Sequence, residues 1–178
     1  MKAVLISIQP KWVEKIASGE KTVEVRKSRP KLETPFKCYI YCTKNTPYNP
    51  VVDLHYKKDG KFLTFTTGKV IGEFVCDRID SYVGKDDDNK EYWDLSVKEW
   101  EDLKKKSCLT IGQIIDYTGD SNNCYGWHIS DLKIYDKPKG LSEFKHDTIL
   151  HTRFNGYKEP LKKPPQSWCY VEELQNGH

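Results

Sequence analysis

The residues whose side chains are best suited to binding or catalysis lie in the segment Gly19–Arg26, with the sequence GEKTVEVR. Lys21 supplies a point charge for a phosphate or carbonyl oxygen, and Arg26 supplies a planar guanidinium that can stack on a base or hold a phosphate. Glu24 can accept hydrogen bonds from the amino edge of a base or act as a general base. Trp12, a few residues earlier, offers a ring for stacking. These residue types at this spacing indicate a site that could bind a nucleotide.

The same residues also have a purely structural interpretation. Glu24 and Arg26 on one strand face could form an ordinary surface ion pair. Lys21 could simply stabilise the C-terminus of a helix, and Trp12 could belong to the core. The spacing alone leaves both interpretations open.

The elements that position this segment can be predicted from the hydrophobic pattern. A short apolar run, Ala3–Ile8, predicts a buried strand, and Pro10 suits the first turn of a helix because its missing N–H costs nothing there. Apolar residues then recur at spacings of three and four, which predicts a helix over about 10–18 with Gly19 as its C-terminal stop. Strict alternation over 22–26 predicts a strand whose polar row is exposed or lines a cleft.

The rest of the chain contains more predicted strands than helices. Strands are predicted at 37–43, 69–79, 125–135 and 167–171, a hairpin at 54–67 with its turn at Asp59-Gly60, an acidic loop at 84–90, and helices at 95–106 and 110–117. Residues 44–68 are interpreted as a hairpin insertion in the sheet, and residues 137–166 as loop-rich. An α+β fold, with a small curved sheet or barrel and short helices at its edges, fits this pattern best.

Length and composition predict a single domain over residues 1–178. The chain is 37% hydrophobic and 12% aromatic, enough for a packed core without metal or disulfide cross-links. Its sequence has no apolar stretch near the roughly 18 residues of a membrane span and no signal-peptide pattern at its start. Six cysteines without short metal-binding spacings are typical of cytosolic thiols. We therefore expect a cytoplasmic protein with no membrane partner, no cofactor and no metal site.

The distribution of charge is more informative than the net charge of +3. Residues 11–31 hold seven basic residues against three glutamates, whereas residues 77–102 hold ten acidic residues against four basic ones. Such asymmetry can create one face that attracts polyanions and another that repels them. It also leaves open a protein-interaction domain that would act through the acidic 77–102 segment and the 44–68 hairpin.

The pattern G-x-K-x-x-E-x-R at 19–26, preceded by I-Q-P-x-W at 8–12, resembles the signature of the ASCH domain family, a branch of the PUA-like β-barrel superfold. Segments 125–129 and 165–168 are similar to the last strands of that family. The resemblance implies a small PUA-like β-barrel with a cleft between the first helix and the strands. It further implies that RNA or a modified nucleotide is the partner bound there. The candidate binding residues are then Gln9, Trp12, Lys21, Glu24 and Arg26.

The resemblance also implies an alternative, a hydrolase acting in the same cleft with Lys21 and Glu24 as catalytic candidates. One bacterial subgroup removes the acyl group from N4-acetylcytidine with a lysine, a threonine and a glutamate, and Lys21 matches that lysine. Glu24 stands where the subgroup has its threonine, so the expected nucleophile is missing. Glu73 and Glu91 are candidates for the third residue. A ribonuclease would instead use Glu24 as the base and Lys21 or Arg26 to stabilise charge on the phosphorane.

Overall fold

The computed structural model describes six segments of the chain, namely residues 1–44, 53–58, 61–85, 91–119, 123–147 and 158–175. The helices are α1 (Pro10–Ser18), α2 (Val97–Ser107) and α3 (Ile111–Thr118), with a 3-10 helix at Leu141–Glu143. The strands are β1 (Lys2–Ile8), β2 (Val23–Arg26), β3 (Phe36–Cys42), β4 (Asp53–Lys58), β5 (Lys61–Thr66), β6 (Lys69–Cys76), β7 (Ile79–Ser81), β8 (Val83–Lys85), β9 (Glu91–Trp93), β10 (Tyr125–His128), β11 (Ser130–Lys139) and β12 (Trp168–Glu172).

Two sheets form the body of this α+β fold. The larger sheet has the order β11-β6-β3-β1-β12, in which β1 and β3 run parallel and the other neighbours run antiparallel. The smaller sheet is antiparallel with the order β2-β10-β7. The pairs β4–β5 and β8–β9 form two further antiparallel ladders.

Apolar side chains cover both faces of the larger sheet. Residues on one face pack against α1 and against Trp127 of the smaller sheet. Residues on the other face pack against Phe144 and Leu161. The smaller sheet in turn packs against Leu103 of α2 and Ile114 of α3. This layering places α1, α2 and α3 around β2, the strand that carries the motif.

The expected small barrel is not closed. The strands β11 and β12 are the edges of the larger sheet, and in the described part of the chain no ladder joins either of them to the smaller sheet. Side chains bridge the gap instead: Arg26 donates to the Ser7 carbonyl at 2.7 Å, and Trp168 Nε1 donates to Ser28 Oγ at 3.1 Å. At this place side-chain contacts, and no backbone ladder among the described residues, join β2 and Ser28 to β1 and β12. The opening that results is the cleft described below.

Local sequence signals explain where the helices begin and end. Gly19 follows α1 with a φ of +83°, a conformation that glycine adopts without strain. The helices α2 and α3 each follow a capping box, in which Ser96 or Thr110 accepts a hydrogen bond from the backbone three residues later. All three helices lie within two residues of their predicted positions.

Two of the predicted strands were wrong in extent. The strand predicted over 69–79 ends at Cys76, and a separate strand begins at Ile79. The strand predicted over 125–135 is divided into β10 and β11, because the intervening residue, Ile129, donates its N–H to Thr22 instead of to a ladder partner. The strand β11 extends beyond the predicted end at 135 and continues through Pro138, which an edge strand tolerates.

The predicted hairpin corresponds to β4 and β5, which pair with Lys58 opposite Lys61. Its turn, Asp59-Gly60, lies outside the described residues. The predicted acidic loop at 84–90 was wrong in its first two residues, which belong to β8, and its remainder also lies outside the described residues. The region at 137–166 contains the end of β11 and the 3-10 helix.

Candidate functional site

Lys21 lies in the turn between α1 and β2, where its N–H donates to the Lys15 carbonyl at 2.9 Å. Its side chain is 2% exposed. The ammonium donates to the Ser107 carbonyl at 2.8 Å and lies 3.2 Å from Oε2 of Glu24. The ring centre of Trp12 is 5.5 Å away. Because Ser107 is the last residue of α2, its carbonyl belongs to the negative end of that helix, so all three partners stabilise the positive charge.

Glu24 and Arg26 lie on the same face of β2 and form an ion pair of 3.0 Å between Oε1 and NH2. The two residues are 7% and 6% exposed, so the interpretation as a surface ion pair is wrong. Arg26 also donates to the Ser7 carbonyl and, at 3.3 Å, to Ser167 Oγ. Glu24 therefore lies between two cations, and we call Lys21, Glu24 and Arg26 the charged row.

Two buried polar atoms of the charged row have no hydrogen-bond partner among the residues that the structure describes. These atoms are Oε2 of Glu24, which has an ionic contact with Lys21, and Nε of Arg26. An unpaired buried polar group costs about 1–3 kcal/mol, and this cost applies most fully to Nε of Arg26, because Lys21 already compensates the charge of Glu24. A ligand that brings a donor to Oε2 and an acceptor to Nε would remove this cost.

The charged row lines a cleft of about 700 Å³, a volume typical of sites for small organic ligands. Its walls are the start of α1, one face of α3 and the segment before β12. The polar and aromatic lining residues beyond the charged row are Ser7, Gln9, Lys11, Trp12, Lys27, Ser28, Thr43, Gln113, Asp116, Tyr117, Gln166 and Ser167. Buried charges, amide groups and aromatic rings therefore surround one cavity.

Each of two aromatic rings in the cleft lies beside an exposed lysine. The ammonium of Lys11 is 4.6 Å from the ring centre of Trp12 on α1, and that of Lys27 is 5.3 Å from the ring centre of Tyr117 on α3. Both lysines are exposed. The cleft thus presents rings for stacking and mobile cations for an anionic group at its mouth.

The cleft brings together all of the binding residues predicted from the sequence, namely Gln9, Trp12, Lys21, Glu24 and Arg26. The wall that α3 provides was not predicted from the sequence. Gln113, Asp116 and Tyr117 occur at spacings of three and four residues, so a polar and aromatic stripe on this short helix was a usable signal. Lys27, the next residue after the motif, was also missed.

Glu73, one of the two candidates for a third catalytic residue, does not extend the cleft. Glu73 accepts a hydrogen bond from the Tyr135 hydroxyl and lies 3.7 Å from Lys37 Nζ, on the larger sheet. It is not among the residues that line the cleft. The side chain of Glu91 lies outside the part of the chain whose side chains are described.

The cysteines form no disulfide, and all six are free thiols. Burial raises the pKa of Cys42, Cys76 and Cys124 to about 12, which disfavours a thiolate at these positions. Within the described residues, no group of His, Cys, Asp and Glu side chains is arranged to hold a metal ion. In the same residues no helix has the length and apolar character needed to span a membrane.

Comparison with solved structures shows which fold this arrangement belongs to. The crystal structure of ASCH from Zymomonas mobilis is similar with a TM-score of 0.59 and 20% identity, over 96% of this chain and 88% of that one. A tyrosine-to-phenylalanine mutant of the same protein gives a TM-score of 0.59 and 20% identity, over 97% and 92% of the two chains. These likenesses support a PUA-like fold. A search of curated proteins found no match.

The family comparison covers the motif and most of the cleft. The family model of the ASCH domain matches residues 6–138, about three quarters of the chain. The matched range includes α1, the charged row and the α3 wall, and it ends just before the end of β11. The chain therefore belongs to the ASCH domain family.

Proposed function

We propose that this protein binds RNA, or a nucleotide with a modified base, in the cleft lined by the charged row. The observation that carries the proposal is that two buried atoms, Oε2 of Glu24 and Nε of Arg26, have no hydrogen-bond partner among the described residues and lie in a cavity that also contains aromatic rings. The ASCH family is associated with RNA binding, which supports the same conclusion.

The chemistry of a nucleobase fits the inner part of the cleft. Oε2 of Glu24 would accept a hydrogen bond from an exocyclic amino group, and Nε of Arg26 would donate to a base carbonyl or ring nitrogen. Trp12 or Tyr117 would stack on the base, an interaction of about 1–3 kcal/mol. Lys21 would hold Glu24 in place and supply a fixed positive charge.

The chemistry of a phosphate fits the mouth of the cleft. Lys11 and Lys27 are exposed, so their ammonium groups can follow a phosphate whose position varies between ligands. Each phosphate contact makes log K fall with log salt by a slope of about 0.7 for a single strand. Affinity should therefore fall as the salt concentration rises. The contribution of stacking to the affinity should not depend on salt.

A binding titration of nucleoside monophosphates and short single-stranded RNA, repeated with Lys21→Met, tests the proposal. We expect Lys21→Met to weaken binding at least tenfold at low salt, because Glu24 loses one of the two cations that orient it. Lys15→Met is the matched control, since Lys15 pairs with Glu20 at 2.8 Å on the exposed side of α1. Tyr117→Ala, at a partly exposed position, gives a second variant that does not disturb the charged row. Unchanged affinity in both cleft variants would refute the proposal.

A hydrolase in the same cleft is the second candidate, and the position of Glu24 Oε2, 3.2 Å from the Lys21 ammonium, favours it. That carboxylate could take a proton from water while the cation stabilises the developing negative charge. The protein should be incubated with N4-acetylcytidine and, separately, with single-stranded RNA, followed by product analysis. A product that disappears with Glu24→Gln would support the hydrolase, and product levels equal to those of Glu24→Gln would exclude it for these substrates.

A further inference from the structure

A second groove adjoins the cleft and lies outside the charged row. It has a volume of about 930 Å³ and is lined by residues 27–34 on one side and by Ile79, Asn123 and Tyr125 on the other. Lys27 and Ser28 line both cavities, so the groove begins where the cleft ends. We call the lining formed by these residues the basic groove.

The charge of the basic groove is strongly positive. Lys27, Arg29 and Lys31 are exposed, and Glu33 is the single acidic residue among its described lining residues. In the described part of the chain none of the three cations is paired with a carboxylate. Unpaired cations concentrated along one concave surface attract a polyanion and are neutralised by it.

The backbone that carries these cations is fixed in place by the edge strand β12. Ser28 Oγ accepts a hydrogen bond from Trp168 Nε1 at 3.1 Å, and the N–H of Lys31 donates to the Tyr170 hydroxyl at 2.7 Å. Pro30, between them, is buried. The cations therefore project from an anchored segment, which reduces the ordering cost of binding.

The groove also contains an aromatic ring beside one of its cations. The guanidinium of Arg29 lies 5.9 Å from the ring centre of Tyr125, which is half-buried. Stacking on such a ring requires a base whose face is free, and the bases of a duplex are stacked on each other. Cations with an adjacent ring thus suit a single strand better than a duplex.

We infer that the basic groove holds the phosphate backbone of single-stranded RNA whose neighbouring nucleotide occupies the cleft. This inference rests on the proposed function of the cleft and extends it from a single nucleotide to a strand. The groove then supplies affinity through phosphate contacts, and the cleft supplies selectivity through contacts with a base.

Two ligands distinguish the groove from the cleft: a nucleoside monophosphate and an eight-residue single-stranded RNA. The test variant is Arg29→Ala with Lys31→Ala, which leaves the cleft lining intact. The matched control is Lys98→Ala with Lys105→Ala, which removes the same charge from exposed positions on α2. Affinity should be measured at several salt concentrations between about 50 and 200 mM.

The expected result is that the octamer binds the parent protein more tightly than the monophosphate does. For the groove variant, the slope of log K against log salt should be shallower by about 1.4, or 0.7 for each lost phosphate contact. That difference corresponds to a roughly sevenfold smaller loss of octamer affinity between 50 and 200 mM salt. Monophosphate binding by the groove variant should equal that of the parent, and the control should match the parent with both ligands.

Several results would overturn the inference. An octamer that binds no more tightly than the monophosphate, or a groove variant that keeps the parent's salt slope, refutes the groove while the cleft proposal stands. If the groove variant weakens the binding of duplex RNA as much as that of single-stranded RNA, the assignment to a single strand is refuted. If neither ligand binds the parent protein, both proposals fail. If the octamer alone binds, and does so through Arg29 and Lys31, the groove binds RNA by itself, and both the cleft proposal and the placement of a neighbouring nucleotide in the cleft are overturned.

Discussion

Replacing Glu24 by glutamine tests the energetics of the charged row. The carboxylate lies 3.2 Å from the Lys21 ammonium and 3.0 Å from the Arg26 guanidinium. Glutamine keeps the size and one oxygen acceptor but removes the charge. Two buried cations then remain without the anion that compensates them.

The expected loss of stability follows from burial. The side chains of the three residues are between 2% and 9% exposed, so water screens the interactions weakly. Removing one partner from a buried ion pair costs about 3–5 kcal/mol, and the retained amide oxygen places Glu24→Gln at the lower end, about 3 kcal/mol. For a chain of this length that corresponds to a decrease in Tm of roughly 6–12 °C.

Urea unfolding provides the measurement, since a lower midpoint with an unchanged m-value reports a change in stability. Glu20→Gln is the control, because Glu20 pairs with Lys15 on the surface and its loss should leave the midpoint unchanged. A decrease below about 1 kcal/mol for Glu24→Gln would refute the description of the row as a buried, mutually dependent set of charges.

A triple variant separates stability from binding. Lys21→Met, Glu24→Leu and Arg26→Met together replace the charged row by apolar side chains of similar size. Such replacements of buried ionic groups are often neutral or stabilising by about 1–4 kcal/mol. We expect this variant to remain as stable as the parent and to lose nucleotide binding. A triple variant as unstable as Glu24→Gln would mean that the row is needed for the fold and would contradict the functional interpretation.

Two further predictions concern positions away from the cleft. Cys108→Gly should raise the free energy of unfolding by about 0.5–1 kcal/mol, because Cys108 has a φ of +57° at the C-terminus of α2, where glycine is less strained; an unchanged or lower urea midpoint would contradict this. Burial raises the pKa of Tyr39 to about 12 from 10.0, so its stabilising contribution is complete below pH 10 and is lost as the pH rises towards 12. The urea midpoint should fall over that range less steeply for Tyr39→Phe than for the parent. If the midpoint falls equally with pH in both proteins, ionisation of Tyr39 is not the cause of the loss.

The local part of the site could be predicted from the sequence. Pro10, the spacing of apolar residues in α1, Gly19 and the alternation in β2 depend on neighbours in the chain, and each was found where the pattern indicated. Alternation could not show whether Glu24 and Arg26 face water or a cavity, because that depends on how α2 and α3 pack around β2. The contact of Lys21 with Ser107 and the wall formed by Tyr117 also depend on packing between elements that are far apart in the chain, so the local pattern did not predict them.

The sequence also could not show that the two sheets do not close into a barrel, for a related reason. A barrel closes when strand edges form a ladder, and strand edges look alike in sequence. Here Arg26 and Trp168 bond across the gap through their side chains, to Ser7 and Ser28. Their residue types gave no sign that they would replace a backbone ladder, so the sequence predicted the cleft but also a closed barrel, where the structure has two separate sheets.

The contact between Lys21 and α2 limits how the motif can be used outside this protein. The Ser107 carbonyl that receives the ammonium lies 86 residues further along the chain. A peptide carrying residues 8–26, or a graft of that segment onto another scaffold, would contain every motif residue but not this acceptor. Its lysine would be a hydrated, freely rotating side chain. Engineering this site elsewhere therefore requires transplanting a helix terminus together with the eight-residue signature.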